Sequence, residues 1–250
     1  MIRRARPFRW NGIVLIGALL VVWQLMFEIA GEDAMAPPLA TIAYLAQLLG
    51  TAAFWSNVTA TATAFLLALL IALVAGLVIG FALGLHGFSR EVVEPILVSF
   101  YAVPKVTLYP IVLLAFGIGM SAKVAFGAIH GIVPMAIFTM TAVRSLNPVL
   151  LKTARVMRLT PWTVARLIVL PSALPEIFTG IRVSFALTLI GTLLGEMFGS
   201  QRGLGYLLMT AIGLQNVRMI MAVTLLLVLF AASVSVALIA VDRRLHRVAQ

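Results

Sequence analysis

Apolar residues in this chain fall in long unbroken runs, with the polar and charged residues gathered between them. Crossing the hydrocarbon core of a bilayer takes about 20 residues of helix, and six runs meet or approach that length, at about 12–29, 58–85, 95–119, 124–143, 177–198 and 219–241. Because the runs are continuous and do not alternate, they predict helices, and a β-barrel is disfavoured. The expected fold is all-α: one polytopic membrane domain over residues 1–250, with six transmembrane helices and a longer polar loop, 145–176, between the fourth and fifth.

The individual runs refine this picture. The first follows Arg3, Arg4, Arg6 and Arg9 and ends at Glu28, Glu32 and Asp33; Ala34-Met35-Ala36 mimics a signal-peptidase site. The run exceeds the usual apolar core of a signal peptide, roughly 7–15 residues, so it reads as a retained span. Along the second run Ala60, Ala64, Ala68, Ala72, Gly76, Gly80 and Gly84 recur every fourth residue, a single inclined row on a helix. Lipid supplies no hydrophobic push between helices, so a row of small residues predicts a face for close packing. Pro104 and Pro110 predict a kink in the third run, and Gly117-Ile118-Gly119 with Lys123 a short outer turn.

Composition and charge narrow the class. With 62% hydrophobic and 10% charged residues, the chain carries too much apolar surface for a soluble fold of 250 residues. The net charge of +10 does not point to nucleic acid, because the cations sit at and between the ends of the runs. They are also asymmetric. The four N-terminal arginines, Arg90, Arg144, Lys152, Arg155, Arg158, Arg166, Arg182, Arg243, Arg244 and Arg247 fall on one side, and Lys123, Arg202 and Arg218 on the other. That bias places both termini in the cytoplasm of a multi-pass protein. Cysteine is absent, which removes disulfides and thiolate metal sites.

The segment from Leu150 to Arg182 is the most distinctive. Leu150, Leu151, Ala154 and Met157 share one helix face while Lys152 and Arg155 point elsewhere, the pattern of a short amphipathic helix. Thr160-Pro161 predicts a second helix start, with a capping hydroxyl and a proline at the first position, followed by Trp162. Leu170-Pro171 predicts its end, and Pro175-Glu176 the opening of the fifth span. Two short helices between spans form a basic knob suited to a partner's groove; a loop resting on lipid headgroups is the plainer reading of the same charge.

The order Thr153-Ala154-Arg155, turn, Leu170-Pro171-Ser172-Ala173-Leu174-Pro175, Thr179-Gly180-Ile181-Arg182 resembles the cytoplasmic "EAA" loop of bacterial ABC importer permeases. Glu196 followed by Gly203-Leu204-Gly205-Tyr206 is similar to the family's outer motif. Pro104-Lys105 and Phe116-Gly117-Ile118-Gly119 resemble the branch importing nitrate, taurine and aliphatic sulfonates. The resemblance implies a permease subunit of the bacterial inner membrane, coupled through Leu150, Leu151, Lys152, Thr153, Ala154, Arg155, Met157, Arg158, Pro161, Trp162 and Pro171 to a cytoplasmic ATPase dimer. ATP and Mg would be held by that partner. It further implies a second permease copy, an extracytoplasmic solute-binding protein and a small solute, often an anion, with nitrate, sulfonates, taurine and vitamin-precursor heterocycles all open. Two positions depart from the pattern: Lys152 stands where the motif commonly has Glu, and Arg158 where it commonly has Gly.

Other chemistries lack their residues. There is no Gly-x-x-x-x-Gly-Lys-Ser/Thr loop, no HExxH and no GxSxG, and the three histidines are scattered, so no catalysis is expected. A self-sufficient secondary transporter or channel is the rival reading; it needs mid-span ion-coupling carboxylates, whereas Glu176 and Glu196 lie near helix ends. Three residues are candidates for a translocation path. Lys105 within an apolar run marks either a pathway or a side chain snorkelling to the interface. His130 either lines the route or is a hydrogen-bonded packing residue, and Glu196 either gates the outside or ties the loop after it.

Overall fold

The computed structural model describes residues 9–85 and 87–248, and all regular structure among them is helical. The helices are α1 (Arg9–Ala30), α2 (Pro38–Leu49), α3 (Ala52–Leu85), α4 (Gly87–Ala102), α5 (Tyr109–Phe116), α6 (Met120–Arg144), α7 (Pro148–Val156), α8 (Pro161–Val164), α9 (Leu170–Gly199), α10 (Leu204–Gly213) and α11 (Val217–Val248). A 3-10 turn at Lys105–Leu108 precedes α5, and a π-helical stretch at Ala165–Val169 joins α8 to α9. Arg3, Arg4, Arg6 and His86 lie outside the described residues, as do the side chains of Arg9, Arg90, Glu91, Leu151, Pro161, Arg243, Arg244 and Arg247.

Four helical segments are long and apolar enough to cross a membrane: Ala52–Leu85, Met120–Arg144, Trp162–Gly199 and Val217–Asp242. A bent pair, Val92–Ala102 with Lys105–Phe116, makes a candidate fifth, and Val14–Ala30 of α1 is a shorter apolar helix. The third run, expected as a kinked span over 95–119, is divided into two bent helices. It is broken by 91° at Pro104. Proline holds the preceding residue out of helical geometry and cannot donate to the ladder, so α4 stops at Ala102 and a new start is needed.

The chain forms two compact units. The first comprises residues 1–55 and 208–228. Within it, Trp23 Nε1 donates to the Ala36 carbonyl at 3.0 Å, fixing the connection between α1 and α2. The second comprises residues 56–207 and 229–250 and holds the core. There α6 is the central element. Gly76, Gly80 and Gly84 of α3 abut Met135, Thr139 and Val143 of α6; a Cβ on Gly80 would reach within 2.5 Å of Thr139 Cβ and one on Gly84 within 2.8 Å of Val143 Cβ. Ala68 and Ala72 are buried and face Gly127 and Gly131. Both partners advance four residues at a time in the same direction, so the small-residue row packs α3 parallel to α6.

The adjoining face of α6 packs against α9 in the reverse direction. Gly127 meets Thr192, Gly131 meets Thr188, and Phe138 meets Gly180. The Ser184 hydroxyl donates to the Gly131 carbonyl at 3.0 Å. Glycines at 127 and 131 thus receive side chains from both neighbours, which lets three backbones approach without a hydrophobic drive between them. Aromatic residues fill what remains: Phe65 meets Phe185 and Phe230 edge-on between α3, α9 and α11, and Tyr109 sits edge-on to Phe126.

Candidate functional site

Three groups of residues along this core carry chemistry, and the first lies at the Leu170 end of α9. Asn147 caps α7, its side chain accepting from Val149 N–H at 2.9 Å, and Pro148 occupies the first turn. The helix closes on Arg158, whose φ of 52° is left-handed. Arg158 N–H donates to the Arg155 carbonyl and Leu159 N–H to the Ala154 carbonyl, both at 3.0 Å, the hydrogen bonding of a Schellman-type closure. The turn therefore keeps the geometry a glycine would adopt, at a backbone cost of about 1 kcal/mol. Thr160 then caps α8, accepting from Thr163 N–H at 3.3 Å.

The side chains of this hairpin face outward. Of the face drawn from the sequence, Ala154 is buried while Leu150 and Met157 are exposed, together with Val149, Val156 (84%) and Trp162 (74%). Thr153, Lys152, Arg155 and Arg158 are exposed beside them. Pro171 does not end the helix, contrary to the sequence expectation, and Pro175 lies inside α9 instead of opening a span. The reason is the wide turn before it: Leu170 N–H bonds the Ala165 carbonyl five residues back, opening the room that the proline ring needs and leaving its missing donor harmless. The second short helix, α8, thus runs without a break into the span.

The second group surrounds the break at Pro104. Where α4 stops, the Tyr101 carbonyl loses its usual partner, and Lys105 Nζ donates to it at 3.0 Å, a cation at the negative end of a helix. The ammonium lies 5.1 Å from the Tyr101 ring centre and 5.9 Å from that of Phe100, and Lys105 is only 8% exposed. His130, on α6, is buried with Nδ1 2.9 Å from the Phe126 carbonyl and its ring edge-on to Phe126; Gly191 of α9 lies directly against it. Tyr101 also borders an open groove of about 390 Å³ with Arg182, Val183, Ala186, Leu187, Ser235 and Ile239. Arg182 pairs with Asp242 at 3.7 Å.

The third group lies at the Gly199 end of α9 and corrects the placing of Lys123 in an exposed turn. Lys123 is 3% exposed and pairs with the fully buried Glu196 at 3.0 Å. The other carboxylate oxygen accepts from the Thr61 hydroxyl at 2.7 Å and from Gly205 N–H at 3.0 Å. Lys123 also donates to the Arg202 carbonyl at 3.2 Å, and Thr61 accepts from Leu204 N–H at 2.7 Å. Gly203 N–H reaches Asn57 Oδ1 at 2.8 Å. Gly203, with φ of 129°, rests on the Glu196 carboxyl group so closely that a Cβ has no room. One carboxylate thus fastens α3, α6, α9 and the loop before α10. Sequence reasoning saw Glu196 and the glycines but missed Lys123, Thr61 and Tyr109, whose hydroxyl donates to the Gly195 carbonyl at 2.7 Å.

The sequence and the fold have counterparts among known proteins. Residues 72–248 match the family described as binding-protein-dependent transport system inner membrane component. The chain belongs to this family. It is 34% identical over 218 residues to the riboflavin transport system permease protein RibX of Chloroflexus aurantiacus, covering 85% of this chain and 81% of the relative. It is 26% identical over 237 residues to the taurine transport system permease protein TauC of Escherichia coli, covering 92% and 86%. A chain of the MetNI methionine ABC transporter in an inward facing conformation shares the fold, with a TM-score of 0.66 at 20% identity over 76% of this chain and 94% of that one. The protein is accordingly the membrane subunit of an ABC importer.

Proposed function

We propose that this permease imports a small anionic solute through a path beside Lys105 and His130, driven by a separate cytoplasmic ATPase that grips the α7–α8 hairpin. The observation that carries the reading is the continuity of that hairpin with α9. Exposed apolar side chains at Leu150, Met157 and Trp162, set among Lys152, Arg155 and Arg158, offer a partner both a hydrophobic contact and a positive field. Displacement of the hairpin passes through the π-helical stretch to α9, which packs along the length of α6. The partner holds ATP and Mg, two copies of this chain enclose the path, and both termini lie on the ATPase side, with an extracytoplasmic binding protein delivering the solute and lipid around the outer helices.

Relatives named for taurine and for aliphatic sulfonates support an anionic solute, as does the buried Lys105, while relatives named for riboflavin and formylaminopyrimidine favour a vitamin-type heterocycle as the second reading. Reconstitution with the neighbouring ATPase and binding protein tests the reading. Uptake of the binding protein's ligand into proteoliposomes is expected only with ATP present and only when the hairpin carries Lys152 and Arg155. Uptake that persists without the ATPase supports the secondary-carrier alternative instead.

A further inference from the structure

We propose that the groove between the Leu85 end of α3, the Arg144 end of α6 and the junction of α8 with α9 is a seat for one phospholipid, an acyl chain lying in the groove with its phosphate at Arg166. The groove lies within the second compact unit and encloses about 860 Å³, a size that suits a lipid chain. Val143 and Leu146 form its buried floor, and Leu85, Trp162 and Leu170 stand exposed at its edge. Arg166 is the one charged side chain lining it among the described residues. An apolar body with one anionic group matches that lining. A segment of a water-soluble partner does not, because its backbone would leave polar groups unpaired against these walls.

Position decides what reaches it. Its walls come from the ends of three segments long and apolar enough to cross a membrane, Ala52–Leu85, Met120–Arg144 and Trp162–Gly199. The groove therefore opens at a membrane boundary, where acyl chains and phosphates are both at hand. Trp162 at the start of the last segment and Arg166 one turn later fit that depth: indole rings collect at the interface, and arginine keeps its stem in apolar surroundings while its head reaches the headgroup layer. The guanidinium fork can donate to two phosphate oxygens at once. Leu150, Lys152, Arg155 and Met157 do not line the groove, so a lipid there leaves the exposed face of α7 to the ATPase.

Tryptophan fluorescence tests the seat. The full-length permease, alone and in complex with its ATPase, is held in dodecylmaltoside micelles, and phosphatidylglycerol brominated in mid-chain is added as quencher. The Trp162 signal is the emission of the parent less that of Trp162→Phe. Half-quenching of Trp162 is expected at a several-fold lower lipid fraction than half-quenching of the signal gained in Leu70→Trp, an exposed position on α3 that reports ordinary contact with lipid. Ala165→Phe, which fills the groove from an exposed position, is expected to remove that advantage. As an independent variant, Arg166→Gln is expected to raise the lipid needed several-fold, while Arg166→Lys keeps most of the affinity. Equal half-points for Trp162 and Leu70→Trp, or a half-point unmoved by Ala165→Phe or by Arg166→Gln, overturns the proposal. So does quenching that is present in the permease alone and abolished in the complex, which would assign the groove to the ATPase. The seat stands apart from the importer reading: a preparation without ATP-driven uptake that still shows the advantage supports the one and refutes the other.

Discussion

The two ends of α9 are built on opposite principles. At Gly199, Glu196 is sealed from solvent and saturated, with Lys123, Thr61 and Gly205 all directed at its carboxylate. At Leu170, Trp162 and Met157 stand exposed with cations around them. Polar groups in a low-dielectric interior hold position because separating them strands a charge; exposed apolar groups make no such demand on their own chain. The contrast teaches where movement can be absorbed and where it must be transmitted. On the proposed coupling, a displacement at the hairpin is expected to meet little internal resistance, and the tied helices α3, α6 and α9 to respond together at the far end.

The largest test strikes the sealed end. Lys123→Met leaves Glu196 buried without its counter-charge and is expected to cost about 3–5 kcal/mol, read as a sharp fall in thermal stability in detergent. Adding Glu196→Gln to Lys123→Met is expected to recover much of that loss, since the penalty is the stranded charge and not the missing ammonium; two additive losses would mean the pair is not coupled. Next comes the packing that joins the ends. Gly80→Leu drives a side chain into Thr139 and is expected to lower stability by about 1–3 kcal/mol or more, whereas Ile79→Leu on the same helix, at an exposed position, is expected to stay within about 0.5 kcal/mol.

Changes at the hairpin are expected to divide the two properties. Lys152→Glu with Arg155→Glu is expected to leave unfolding within about 0.5 kcal/mol of the parent, since both residues are exposed, while abolishing co-purification with the ATPase. A melting shift of the size seen for Lys123→Met would erase the distinction between the ends. Arg158→Gly is expected to raise stability by about 1 kcal/mol by relieving the left-handed residue.

Much of this was legible before any coordinates. The Ala–Gly row of α3 packs where its four-residue spacing put it, because that spacing is a helix property and lipid makes small residues the natural contact. The Thr160 cap and the break near Pro104 follow from local backbone rules in the same way. What sequence did not reveal depended on distant partners. Lys123 beside two glycines reads as a turn cation, and only the approach of Glu196, 73 positions away, buries it. Pro171 reads as a helix stop, and only the π-helical turn before it lets the helix continue. Lys105 is ambiguous by composition and becomes specific once the Tyr101 carbonyl, freed by the break, is seen to hold it.

The coupling claim is tested most directly by single-cysteine crosslinking, for which the parent chain supplies a background free of thiols. Lys152→Cys and Arg155→Cys, each joined to the cognate ATPase through a short bifunctional reagent, are expected to give adducts whose yield changes when ATP binds, while Arg202→Cys gives none. Adducts from position 202 with none from 152 or 155 would contradict the account.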